Sequence, residues 1–439
     1  MIHLALLLFL THVPQESPAH VLPLREQAAV RDRWLAERIA DVAPALMRET
    51  GIDLWIVASR EYVEDPVIET MLPATWMAAR RRTVLILHDH GEGQPLECLA
   101  VARYDVGESF KRAWDPEAQR DQWARVAELV AERDPERIGV NVGPTFALGD
   151  GLTSSEHAAL VAALPEALRA RVVSAEPLCV RWLETRTASE LESYPHLCRI
   201  AHEIIAEGLS EAIVHPGVTT TDDVVWRYRE AIRARGLETW FHPSVEVQRA
   251  DAPEHSGSFA AEHGAETIRE GDLLHVDFGI TYLGLNTDTQ QHAYVLRRGE
   301  SEAPAGLRKG LATANRLQDL LMGNFALGRT GNEVLAKTRA AAIAEGIEPS
   351  IYTHPLGFHG HGAGATIGMW DSQGGVPGTG DWPVHASTVW SIELNATVPV
   401  PEWGGKAVRF MLEEDAWFDG TTCRFLDGRQ TELWLIPRP

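Results

Sequence analysis

The 439-residue chain is 45% hydrophobic and 23% charged, a balance that supports folded cores and argues against intrinsic disorder. At that length two domains are expected rather than one. Its 62 acidic and 40 basic residues give a formal charge of −22, which repels phosphate backbones, and no Lys/Arg-rich tract offsets it, so nucleic-acid binding is not expected.

In chain order, residues 4–10 (LALLLFL) form an apolar run far too short to span a bilayer, and nothing later resembles a transmembrane segment. Ser17-Pro18-Ala19 has the small-x-small form of a signal cleavage site, although no Lys or Arg precedes the run. The expectation is a periplasmic or secreted protein. The alternative is a cytoplasmic one whose residues 1–24 are an apolar strand or tail.

Residues 27–50 carry apolar side chains at helical spacing and stop at Gly51. The runs at 52–59, 83–89, 98–104 and 138–143 read as strands, and 115–134 as a helix. Together they predict a self-contained α/β domain over 25–185 with no catalytic constellation. A boundary is expected near 181–190, where Thr187 and Glu190 have capping-box spacing. The helix that follows is predicted to reach about residue 214, with Pro195 kinking it or delaying its start. Pro216-Gly217 then gives a turn, Thr220 and Asp223 a cap, and Gly236 a stop. From about 240 the pattern is strand-rich, completing a second domain over 186–439. Cys98, Cys179, Cys198 and Cys423 contain no C-x-x-C pair and read as apolar thiols; export would permit one disulfide.

Four segments in the second domain carry chemistry. In GDLLHVDFGITYLGLNTDTQ (271–290), Asp277 closes an apolar run and Asp288 follows eleven residues later. A strand, a turn allowed by Gly279 and Gly284, and a second strand bring both acids to one end of a hairpin. Adjacent carboxylates repel, and a cation removes that penalty. The segment THPLGFHGHGAGATIGMWD (353–371) sets His354, His359 and His361 among glycines that permit close packing. Glu393 lies inside the strand-like SIELNATVPV (391–400), and Glu413 and Glu414 follow FML in 408–420. Two aspartates, an imidazole and two glutamates form an oxygen-rich set suited to Mn²⁺, Co²⁺, Fe²⁺ or Zn²⁺, and hold too many acids for one zinc.

The order Asp277, Asp288, His361, Glu393, Glu413 resembles the pita-bread metallopeptidases: Xaa-Pro aminopeptidases, prolidases, methionine aminopeptidases and the related creatinases. The VDFG run, the spacing of eleven, GHGAG, IE and LEEDAWF carry the resemblance, which covers roughly 186–439. It implies an α+β chain whose C-terminal pita-bread domain follows a smaller creatinase-like α/β domain. It further implies a hydrolase of small peptides, a Xaa-Pro aminopeptidase or dipeptidase, working as a homodimer with two divalent ions, Mn²⁺ foremost. Asp277 would chelate one ion, Asp288 and Glu413 would bridge both, and His361 and Glu393 would complete the second. A bridging water would be the nucleophile and Glu393 would take its proton. His255 would assist catalysis by hydrogen-bonding the substrate, and His354 or His359 would also contact it. The chain departs from the family where a second histidine is expected after His361, in the Leu394-Asn395 that replaces Pro-Gly, and at Met411, where relatives carry Arg. Two other readings stand beside this one: a non-catalytic peptide-binding protein, and a creatinase-like, metal-free C–N hydrolase.

Overall fold

A computed structural model describes residues 19–252 and 264–438 of the chain. The apolar run at 4–10, most of the cleavage pattern and His255 lie outside the described residues.

The first half opens with one helical rod in three stretches, Leu24–Glu37, a π-helical turn Arg38–Val42, and Ala43–Thr50. Gly51 ends it at φ +67°, a left-handed conformation that glycine adopts without a Cβ penalty. A six-stranded sheet follows: β1 (Leu54–Arg60), β2 (Arg82–His88), β3 (Glu97–Val101), β4 (Lys111–Arg112), β5 (Ile138–Val140) and β6 (Val172–Ser174), in the order β4-β3-β2-β1-β5-β6. The first six residues of β1 are buried without alternation, as in a strand covered on both faces. The helix expected from 115 starts only at Gln122 and runs to Arg133, because Asp121 caps it by accepting the Trp123 and Ala124 N–H groups. Upstream, Asp115 accepts the Glu117 N–H (3.1 Å), a local bond that competes with helix formation.

The helix Ala188–Gly208 begins at the Thr187/Glu190 capping box, and Pro195 lies inside it without delaying its start. Its buried face, including Tyr194, Leu197, Ala201 and Ile205, holds the helix through the proline. The helix Thr221–Ala234 has the same kind of cap at Thr220 and Asp223.

The strands of the second half are β7 (Ser244–Gln248), β8 (Leu273–Phe278), β9 (Thr281–Tyr282), β10 (Leu285–Asn286), β11 (Thr289–Val295), β12 (Glu348–Ile351), β13 (His354–Leu356), β14 (Thr388–Ser391), β15 (Leu394–Val400), β16 (Lys406–Leu412), β17 (Asp415–Phe418), β18 (Cys423–Phe425) and β19 (Trp434–Ile436). They form sheets ordered β19-β11-β8-β7, β12-β15-β16 and β13-β14-β17-β18, plus the β9–β10 hairpin. That hairpin turns on Leu283 (φ +57°) and Gly284 (φ +80°), the two positive values of a type I′ turn. The chain crosses from the β13-β14-β17-β18 sheet into the β12-β15-β16 sheet at Glu393 and returns at Glu413-Glu414. The helix Ala305–Met322 packs on β15 and β16. Among the described residues no helix is long and apolar enough to cross a membrane, and all four cysteines are unpaired.

Candidate metal centre

The acids stand at strand ends and crossovers. Asp277 is the penultimate residue of β8, opposite Gln290 of β11, and Asp288 immediately precedes β11. Glu393 lies between β14 and β15, and Glu413 between β16 and β17. An antiparallel bridge between Gln290 and Glu413 joins two of the sheets at this point. Asp277, Asp288, Glu393 and Glu413 therefore converge on one cavity of about 540 Å³, which His354 and His361 also line. Trp240, Phe241, Tyr352, Met369 and Trp370 form its apolar wall.

Four carboxylates in one buried place repel each other. Burial and the like charges of its neighbours push Asp288, Glu393 and Glu413 well above the usual carboxylate range. Burial, with a smaller contribution from Glu246, lifts Asp277 to about 7. Among the described residues lining the cavity none is Lys or Arg. Asp277 Oδ1, Asp288 Oδ1 and His354 Nε2 are buried without a hydrogen-bond partner. A divalent cation meets all these needs at once, so the residues present fit a metal centre.

The three histidines occupy three different surroundings. His354, expected on the substrate, is in the acid cluster: its Nε2 lies 3.6 Å from Asp288, 3.7 Å from Glu413 and 3.8 Å from Glu393. Its Nδ1 faces the Pro355 carbonyl at 3.0 Å. A proton on Nδ1 donated to that carbonyl leaves the Nε2 lone pair toward the acids. Burial and the neighbouring His361 hold its pKa down at about 3, keeping the ring neutral. His361, expected as the ligand, lines the same cavity but packs edge-on against His354 (ring centroids 4.8 Å apart) and Trp240 (5.2 Å). His359 is not in this cavity. It lines a separate one with Arg31, Trp34, Arg38 and Glu190, because the bends at 357–361 send neighbouring side chains to opposite sides.

A second layer holds the acids. The Gln290 amide donates to Glu393 (2.6 Å) and Glu413 (2.7 Å), while its oxygen faces His275 Nε2 at 3.0 Å. Ser391 Oγ donates to Glu413, and the Asp288 N–H donates to Asp415 at 3.2 Å. The Glu393 N–H donates to Thr353 Oγ1 at 3.0 Å. Glu414 faces away, accepting from Gln291 and the Gln430 N–H and lying 2.7 Å from His202. Sequence reasoning passed over Gln290, although it follows Asp288 by two residues along a strand edge, where side chains share a face. Trp240 was also missed. It is seated against Gly360 and Gly279, where an added Cβ would come within 2.3 Å and 2.8 Å of the indole.

The Metallopeptidase family M24 model matches residues 196–413, the span that contains every acid of the cavity. No curated protein sequence matches the chain. Among solved structures the chain is similar to an X-Pro aminopeptidase from Thermotoga maritima, with 14% identity, 89% of this chain and 99% of that one covered, and a TM-score of 0.63. A Xaa-Pro dipeptidase from Bacillus anthracis gives 16% identity, coverages of 93% and 99%, and a TM-score of 0.61. The dipeptidase PepE of Mycobacterium ulcerans gives 18%, 93%, 99% and 0.59. At such identities these likenesses speak to the fold, a pita-bread domain preceded by a smaller α/β region, and the matched segment identifies the chain as a member of metallopeptidase family M24.

Proposed function

We propose that this M24 enzyme hydrolyses small peptides at Xaa-Pro bonds, as an aminopeptidase or dipeptidase, with two divalent ions held by Asp277, Asp288, His354, Glu393 and Glu413. The observation that carries the reading is the convergence of four mutually repelling carboxylates, with an unpartnered oxygen on each of Asp277 and Asp288, beside an unpartnered imidazole nitrogen of His354. The Xaa-Pro preference is supported by what the similar structures are named for and by an apolar wall that suits a pyrrolidine ring. With His354 in the acid set, His361 takes the place of the second histidine whose absence after 361 suggested a non-catalytic protein. The retained carboxylates speak against a metal-free C–N hydrolase.

Divalent ions bound there would supply Lewis acidity and a water able to ionise near neutral pH. The chain's own groups do the rest. Glu393, fixed by Gln290 and by its own N–H on Thr353, is placed to accept the water's proton and pass it to the leaving amine. His361, exposed toward the cavity and with its pKa lowered by partial desolvation, is placed to hydrogen-bond the peptide. Trp240, Tyr352 and Trp370 bound the space in which the substrate is oriented and water excluded.

The test is peptide hydrolysis by chelator-stripped protein reconstituted with Mn²⁺, Co²⁺ or Zn²⁺, assayed on Xaa-Pro dipeptides and longer peptides. Ion-dependent cleavage is expected, and a metal-loaded protein that binds these peptides without cleaving them would overturn the reading. Glu393→Gln, with metal content measured in the same sample, is expected to lose about a hundredfold or more in kcat while keeping peptide affinity.

A further inference from the structure

A second group of metal-ligating side chains lies in the first half of the chain, apart from the acid cavity. On a strand, side chains two residues apart face the same way, and a paired residue stands opposite on the neighbouring strand. β2 ends at His88 and β3 begins at Glu97, and these two residues pair directly. His90 follows His88 by two. Accordingly His88 Nδ1 and His90 Nε2 lie 3.5 Å and 3.6 Å from the same oxygen, Glu97 Oε2. The imidazoles meet edge to face with centroids 4.4 Å apart, and the three ligand atoms lie within 4.8 Å of one another. Donors bound to one ion at about 2.0–2.2 Å stand about 3.3–3.6 Å apart in a tetrahedral shell, so only a small closure separates this arrangement from a coordination sphere.

His88 is 9% exposed, and its buried Nδ1 has no hydrogen-bond partner. Arg133 donates to both Glu97 oxygens, from Nε at 2.7 Å and Nη2 at 2.6 Å. That fork fixes the carboxylate as an outer-layer partner does, and it also drains charge from the oxygen, so the two imidazoles dominate ion preference.

We propose that His88, His90 and Glu97 form a nitrogen-rich site for Zn²⁺, Ni²⁺ or Cu²⁺, with a water-accessible fourth position beside the exposed His90. Two imidazoles select these ions over Mn²⁺, whereas the acid cavity is oxygen-rich, so the two places differ in chemistry. A bound ion would pin the 89–96 connection between β2 and β3 at its base.

The experiment uses untagged full-length protein, stripped with chelator and titrated with Zn²⁺ alone, comparing wild type with His90→Ala and His88→Gln. Wild type is expected to bind one more equivalent than either variant, or to lose about tenfold or more in affinity for that equivalent on substitution. Peptide hydrolysis by the Mn²⁺-loaded variants should match wild type. His90 is half-exposed, so its replacement leaves the sheet intact. As a second readout, Cu²⁺ added to Mn²⁺-loaded protein should show nitrogen hyperfine splitting from two imidazoles, reduced to one imidazole or lost in either variant. Equal Zn²⁺ stoichiometry and affinity in all three proteins, or a Cu²⁺ spectrum unaffected by both substitutions, would overturn the proposal.

Discussion

His354 and His361 face one cavity, yet they differ in what they can offer a cation. The His354 Nδ1 is engaged by the Pro355 carbonyl, which aims Nε2 at three carboxylates, whereas His361 is packed on Trp240. His354→Ala is therefore expected to lower metal content, with activity falling by about two orders of magnitude or more, while His361→Ala keeps its metal and loses turnover alone. Metal analysis beside steady-state kinetics checks this, and metal loss confined to the His361 variant would return that residue to the ligand set. Asp277 allows a pH test. Its pKa is raised to about 7 from an ordinary 3.8, chiefly by burial. In metal-stripped protein the folded state then keeps a proton that the unfolded chain releases, and stability is lost as pH rises from about 4 to 7. Asp277→Asn removes that loss, so its melting temperature should gain on that of stripped wild type across the same window. A difference independent of pH would refute the burial argument.

Strand junctions, rather than a loop, set the precision of the centre. The acids belong to β8, the edge of β11 and two crossovers between sheets, so strand register fixes their separations. Two glycines in the β8–β11 connection should respond differently to the same substitution. A Cβ at Gly279 would stand 2.5 Å from the Thr287 carbonyl and 2.8 Å from Trp240 Nε1. Gly279→Ala should therefore disturb the hairpin that holds Asp277 and Asp288 and weaken metal binding. Gly284, at φ +80° in the outer turn, meets nothing closer than Arg31 Nε at 3.3 Å. Gly284→Ala should cost about 1–2 kcal/mol from its left-handed backbone and leave metal affinity unchanged. Denaturation and metal titration of both variants separate the effects. Gln290 acts at this scale too, since it ties β11 to both glutamates. Gln290→Leu should weaken metal affinity in a folded protein, measured by titration beside circular dichroism.

Taken whole, the molecule keeps a repelling acid cluster inside its second half, and the cation that relieves it is linked to folding. A divalent ion such as Mn²⁺, at about 100 times its Kd, would contribute roughly 2.7 kcal/mol, or about 5–10 °C in the melting temperature of a unit of this size. Calorimetry with Mn²⁺ and with chelator measures it, and an unchanged transition would exclude a structural stake for the metal. The halves also share buried charge. Arg38, in the opening helical rod, donates to Glu190 (3.2 Å) and to the Thr185 carbonyl (2.8 Å). A fragment starting at 186 keeps every acid of the cavity but leaves Glu190 without Arg38, so it is expected to fold poorly.

The sequence alone was enough to read the helix caps at Thr187 and Thr220 and the hairpin that carries Asp277 and Asp288. It also marked Glu393 and Glu413 as acids too costly to leave unpartnered in apolar strands. These are local properties, written in spacing and side-chain type. The resemblance put His361 on the metal and His354 or His359 on the substrate, and a glycine-rich bend has no period from which to check side-chain direction; in the fold His354 Nε2 faces the carboxylates and His361 packs on Trp240. Nor did the sequence show Gln290 bridging two glutamates more than 100 positions away, or His88 and His90 meeting Glu97. Those contacts exist only once strand register is fixed, and register is a property of the folded sheet.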